Sequence, residues 1–285
     1  MKTAPCSDLR IPSARSAPCS RPPRSFPPAE YRGRLQRLQQ ALAADRLDAA
    51  LIASPVQRLY LTGFPASNGV VLVPVDGTPV FFTDFRYLEA ADRALSFLRT
   101  RRLPRRIERA IVPPRGRRWS RIGYEDGWVP AARFESWRRS LPRSWKWRGL
   151  SAALARLRAI KSPAEIDAIK SAVAANDAAF ARLRAAVRPG MSEWDIRGVV
   201  RRCIDQTSQG ESFPAIVAAG PNSSRCHHAP TGRAWRALDP LLIDMGAVVD
   251  NYCSDMTRVL FAATPTPRMR RMYAAVLDAQ TAAIE

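Results

Sequence analysis

Apolar residues recur along this chain with two different periods, and each change of period marks a new element. In AEYRGRLQRLQQALAADRLDAALIAS, Leu35, Leu38 and Leu42 fall at helical spacing, and the short apolar strand AALIA follows. GVVLVPV and PVFFTDF read as strands, with the hairpin signal Asp76-Gly77 between them. This mixture predicts an α/β domain over 30–150. Its aromatic tail, WRRSLPRSWKWRGL, leads toward an interdomain region. Trp137, Trp145 and Trp147 are expected to pack against the neighbouring domain rather than to stack on bases.

From residue 151 onward the pattern alternates helices with hairpins. Ser162 reads as an N-cap with Pro163 at the first helical position, and Arg188-Pro189-Gly190 is the stop. A second helix, MSEWDIRGVVRRCIDQT, has Ser192 as its cap and Glu193 and Asp195 in its positive first turn. The expected architecture over 151–285 is an α+β layer arrangement. The last stretch, PRMRRMYAAVLDAQTAAIE, is helical in pattern and shows no Gly, Asn or Pro stop signal.

Between these helices LLIDMGAVVDNYCSDMTRVLF reads as a β-hairpin carrying Asp244 and Asp255. A Val249-Asp250 loop pairs 244 with 255, whereas an Asp250-Asn251 loop makes them diagonal neighbours. Either register puts both carboxylates on one sheet face. Carboxylates that close repel each other unless a proton or a cation lies between them, and a divalent metal is the natural partner. Taken alone, such a pair more often solvates an exposed strand or caps a turn.

Length and composition narrow the classes. A chain of 285 residues that is 46% hydrophobic can bury two cores and is not disordered throughout. No apolar run approaches the ~20 residues a membrane helix needs. Net charge is +20, with residues 1–150 holding 28 basic and 12 acidic side chains, a net of +16. Ten arginines against Glu108 over 99–121 could draw nucleic acid or another anionic surface. Only four of the 45 basic residues are Lys, a skew that GC-rich coding explains better than phosphate recognition, so a nucleic-acid partner is not expected. Residues 1–29 are rich in Pro, Ser and Arg and are expected to form a disordered leader. Five cysteines without a C-x-x-C pair fit a reduced, cytoplasmic setting without a disulfide framework. Cys226 beside His227 is a poor nucleophile–base pair, because no third group to orient the imidazole is evident.

Several blocks together resemble the metallopeptidase family that includes Xaa-Pro aminopeptidase, prolidase and methionine aminopeptidase. YLTGFPASNGVVLVPVDGTPVFFTDFRY is similar to the creatinase-type amino-terminal domain, and LRAIKSPAEIDAIKSAVAANDAAF to the linker and first catalytic helix. SFPAIVAAGPNSSRCHHAPTGR and the aspartate hairpin complete the match over about residues 30–285. The resemblance implies a creatinase-like α/β domain (30–150) followed by an α+β "pita-bread" catalytic domain (151–285). It implies hydrolysis of the peptide bond before proline. Asp244 and Asp255 match the first two ligands of a dinuclear site, Asp255 being the bridging carboxylate. His227 matches the histidine that touches substrate or intermediate, and His228 beside it is a candidate for substrate binding. Two divalent ions, Mn before Co or Zn, would polarise the scissile carbonyl and acidify a bridging water. The partners implied are a proline-containing peptide and a second copy in a homodimer.

The family site needs a further histidine and two glutamates, and no histidine follows Asp255. The chain is therefore expected to be a partial catalytic domain, inactive alone. Cys226 stands where the family commonly has Pro, and Phe85 where it often has Gly. Two other readings of the same fold are a metal-free pseudoenzyme serving as a binding module and a creatinase-like amidinohydrolase.

Overall fold

The computed structural model describes residues 24–105, 107, 111, 113 and 118–285. Most of the expected leader, and Arg106, Arg109, Arg115 and Arg117 of the arginine cluster, lie outside the described residues. The chain forms two compact units, Ser25–Ser162 and one beginning at Pro163. No helix among the described residues is long and apolar enough to cross a membrane.

The first unit is built on a six-stranded mixed sheet. Its strands are β1 (Ala49–Ile52), β2 (Val70–Pro74), β3 (Val80–Thr83), β4 (Arg99–Arg102), β5 (Arg121–Tyr124) and β6 (Lys146–Gly149), in the order β4-β3-β2-β1-β5-β6. β1, β2 and β3 pair antiparallel, while β3–β4, β1–β5 and β5–β6 are parallel. The central strands are apolar at every position because both faces are covered, which is why AALI and VVLVP do not alternate with polar residues. Ala50, Ile52, Val71 and Val73 point into one core with Leu35, Leu38 and Leu42 of α1 (Pro28–Ala44). Ala49, Leu51, Val70 and Leu72, one residue out of phase, point into the other.

That second core corrects the expected placement of the tryptophans. Trp119, Trp137 and Trp145 are buried in it, and Trp147 stacks on Trp137 at 6.2 Å between ring centres. They pack within their own unit, on the face of β1 and β2 opposite to α1. The unit also runs past residue 150. Leu150, Ala153 and Leu154, at and inside α5 (Ser151–Ala159), join the α1 core, so this helix belongs with the first unit rather than opening the second.

In the second unit α6 (Pro163–Ala186) starts at the expected proline and ends ahead of Pro189-Gly190. Ser192 caps α7 (Glu193–Asp205) through a reciprocal capping box with Asp195. Both helices share a core with a three-stranded antiparallel sheet of order β11-β8-β7. The strands are β7 (Ile216–Ala219), β8 (Leu241–Met245) and β11 (Met256–Leu260), and β9 (Val248–Val249) with β10 (Tyr252–Cys253) extends the β8–β11 hairpin. Leu241, Ile243 and Met245 point inward and are fully buried, while Leu242 and Asp244 point outward. α8 (Pro267–Ile284) has no buried residue, and Met272, Tyr273, Val276, Leu277 and Ile284 are exposed along it.

Candidate functional site

The hairpin turn decides between the two registers. Asp250 and Asn251 both have positive φ, 50° and 66°, as a type I′ two-residue turn requires. Tyr252 then pairs with Val249, Met256 with Met245 and Thr257 with Asp244. Asp255 is therefore the diagonal neighbour of Asp244 on the same outward face. The two side chains meet: burial pushes the Asp255 carboxyl up, and the charge of Asp244 and a hydrogen bond shared with it push it further. The Thr257 hydroxyl donates to Oδ1 of Asp244 at 2.8 Å and fixes that carboxylate from the side.

Gly246 lies opposite Asp255 and lets the segment at 212–213 seat closely against the hairpin. A Cβ there would run into Ser212 Oγ and the Ser254 carbonyl oxygen, and would lie 2.9 Å from Cε1 of Phe213. The segment before β7 is laid against the hairpin on its other side, with Ser212 N–H donating to the Gly246 carbonyl at 3.0 Å. Residues 244 and 246 share a face, so the Phe213 ring forms an apolar wall beside the carboxylates. Behind the strand Asn176 of α6 is buried and donates Nδ2 to the Met245 carbonyl at 3.1 Å.

The histidines lie on the loop that leaves β7 through a 3-10 turn, Gly220–Ser224. His227 is exposed. His228 is not available for substrate: its side chain is 4% exposed, and Nε2 is 2.8 Å from Oε2 of Glu193. Its expected substrate-binding role is thus replaced by an internal one, because its ring turns toward a buried acid. Glu193 is the residue that sequence reasoning undervalued. As an acid in the first turn of a helix it reads as a dipole partner, but it is fully buried and accepts five hydrogen bonds. Burial would raise its pKa. The Ala219 amide and the side chains of His228, Thr231 and Asn222 outweigh that and hold it at about 2.

The structure thus brings Asp244 and Asp255 together on one face of the hairpin, with His227 exposed on the loop after β7. Among the described residues no group of three or more His, Cys, Asp or Glu is arranged to hold a metal ion. The donor chemistry of the aspartate pair nevertheless fits a hard divalent cation. Two carboxylates stand side by side, and a cation would relieve the repulsion that raises Asp255. Two carboxylates alone fall short of a closed coordination shell.

Two family descriptions match this chain: "Metallopeptidase family M24" over residues 167–285 and "Creatinase/Prolidase N-terminal domain" over 34–160. A Bacillus subtilis protein described as an uncharacterized peptidase is 27% identical over 249 residues, covering 87% of this chain and 70% of that protein. A Xaa-Pro dipeptidase of Lactobacillus helveticus is 29% identical over 263 residues, covering 88% of this chain and 71% of that one. The structure of a Xaa-Pro dipeptidase from Bacillus anthracis superposes with a TM-score of 0.79 at 25% identity, over 88% of this chain and 70% of that one.

Proposed function

The chain belongs to metallopeptidase family M24, and from that membership and the geometry of its hairpin we propose that it is a metal-dependent Xaa-Pro peptidase, hydrolysing the peptide bond before proline. One observation carries the reading: two carboxylates that repel each other share a sheet face beside an apolar ring. Asp244 and Asp255 would hold the divalent cations that family M24 metallopeptidases use, Mn in preference to Co or Zn. Bound there, the cations supply Lewis-acid polarisation of the scissile carbonyl and activation of a water.

The chain's own residues do the rest. Thr257 donates to one oxygen of Asp244 and fixes the plane of that carboxylate toward Asp255 and a ligand. The Phe213 ring offers a dry surface against which a flat, apolar proline ring can rest. His227, exposed on its loop, presents an imidazole that can donate a hydrogen bond to a substrate oxygen. The same reading takes the active form as a homodimer in a reducing cytoplasm.

The test is metal content and turnover in parallel. Purified chain dialysed against Mn, Co or Zn should retain divalent metal, and Asp244→Asn or Asp255→Asn should lose it. Joined to a segment that supplies the further histidine and two glutamates of the family site, the metal-loaded chain should release proline from Xaa-Pro dipeptides. Metal retained equally by both Asn variants, or hydrolysis that ignores the proline, would count against the assignment.

A further inference from the structure

We propose that Glu193 is a positioning residue for His227: through His228 it holds the loop that carries this imidazole at a fixed place relative to Asp244. The proposal rests on the peptidase reading for what His227 does, though not for how it is held.

Glu193 opens α7 and is fully buried, with each carboxylate oxygen engaged. Oε1 accepts from the Ala219 amide at 2.8 Å and from Asn222 Nδ2 at 2.9 Å. Oε2 accepts from the Thr231 amide at 2.8 Å and the Thr231 hydroxyl at 2.6 Å, and lies 2.8 Å from His228 Nε2. An ionised carboxylate can only accept, so Nε2 of His228 carries a proton. These donors belong to three stretches: the end of β7, the 3-10 turn, and the segment 228–231.

The loop is fastened on both sides of His227. The His228 amide donates to the Arg225 carbonyl at 3.2 Å, and the Ser223 hydroxyl donates to the Gly220 carbonyl at 2.7 Å. At the far end of the network Ala219 closes β7, and β7 pairs with β8 so that Ile216 lies opposite Asp244. A continuous path therefore runs from the His228 ring through Glu193 and the Ala219 amide along β7 to Asp244. Burial by itself disfavours an ionised carboxylate, and an apolar side chain could fill the same space. What the charge adds is direction, because every bond it accepts fixes an angle as well as a distance.

A double-variant cycle in the metal-loaded chain joined to a segment that supplies the further histidine and two glutamates, Glu193→Gln against His227→Ala with a Xaa-Pro dipeptide, tests this alongside NMR of the histidine-labelled chain. Only two histidines occur in the whole chain, so each ring gives its own signal. Glu193→Gln should lower kcat by about 10²-fold, as a small misplacement of a reacting group does, while KM moves less than about twofold. The double variant should be no slower than His227→Ala alone, since residues acting through one another are not additive. In the NMR arm Glu193→Gln should remove the protected Nε2 proton of His228 and shift the His227 ring signals toward those of a freely rotating imidazole.

Additive losses in the cycle, or His227 signals that ignore Glu193→Gln, would overturn the proposal. If the wild-type chain so completed hydrolyses no Xaa-Pro peptide, the peptidase reading fails and the His227 signals alone decide the positioning claim. If Glu193→Gln does not fold, Thr231→Val removes one donor, keeps the charge, and should produce the same changes at roughly tenfold in kcat.

Discussion

Asp255 and Glu193 are both carboxylates of the second unit, and their surroundings push them in opposite directions. Burial, with Asp244 alongside, raises Asp255 above its ordinary 3.8. In the metal-free fold this residue contributes stability at acid pH that is lost as pH rises through its raised value. Asp255→Asn should therefore raise the melting temperature of metal-free protein at pH 7 and abolish any further rise on adding Mn; a lower melting temperature would contradict the repulsion. Glu193 is held at about 2 against an ordinary 4.5, so its contribution is complete above 4.5 and is lost as pH falls toward 2. Glu193→Gln should destabilise the protein at pH 7 by about 1–3 kcal/mol, the desolvation left on unpaired donors, and urea unfolding should show the gap narrowing below pH 4.5. The Asp pair was legible in the sequence because alternation in a hairpin fixes which residues share a face. Glu193 was not, because its partners lie 26 to 38 residues away and no local period reports them.

The hairpin is the element on which the site depends, and its parts differ in how much they can give. Gly246→Ala would drive a methyl into the Ser254 carbonyl, backbone that cannot swing aside, and into the Ser212 hydroxyl, which could turn away only by giving up its bond to that carbonyl. Overpacking of that kind costs roughly 1–3 kcal/mol or more. Urea denaturation should show that loss, together with weaker Mn retention; an unchanged midpoint would mean that the segment at 212–213 is not seated on the strand. Helices α1, α6 and α7 could be read directly, from leucine spacing in the first and from cap chemistry in the other two. The register could not be chosen until the positive φ of both turn residues was seen. Phe213 beside the carboxylates was likewise invisible, since it arrives from a segment about thirty residues upstream, paired across the strand rather than along it.

Across the whole molecule, each unit has its own apolar interior, and the first has one on each side of its sheet. Residues 25–162 made alone should fold, with helix and strand in the far-UV and the blue-shifted emission of buried Trp119, Trp137 and Trp145. Red-shifted emission from that piece would mean that its aromatic core needs the rest of the chain. The two-domain plan was legible from the change of pattern along the chain. The boundary was set late by α5, whose apolar residues carry no mark of which interior they enter. The type I′ turn also sets the order in which the second unit comes together. Asp244 and Asp255 are joined through a bend that closes on the microsecond scale, well before distant parts of a chain meet. On the proposed metal-binding reading, a divalent ion present during refolding would meet the two carboxylates already side by side, as a template for the second unit rather than a late guest.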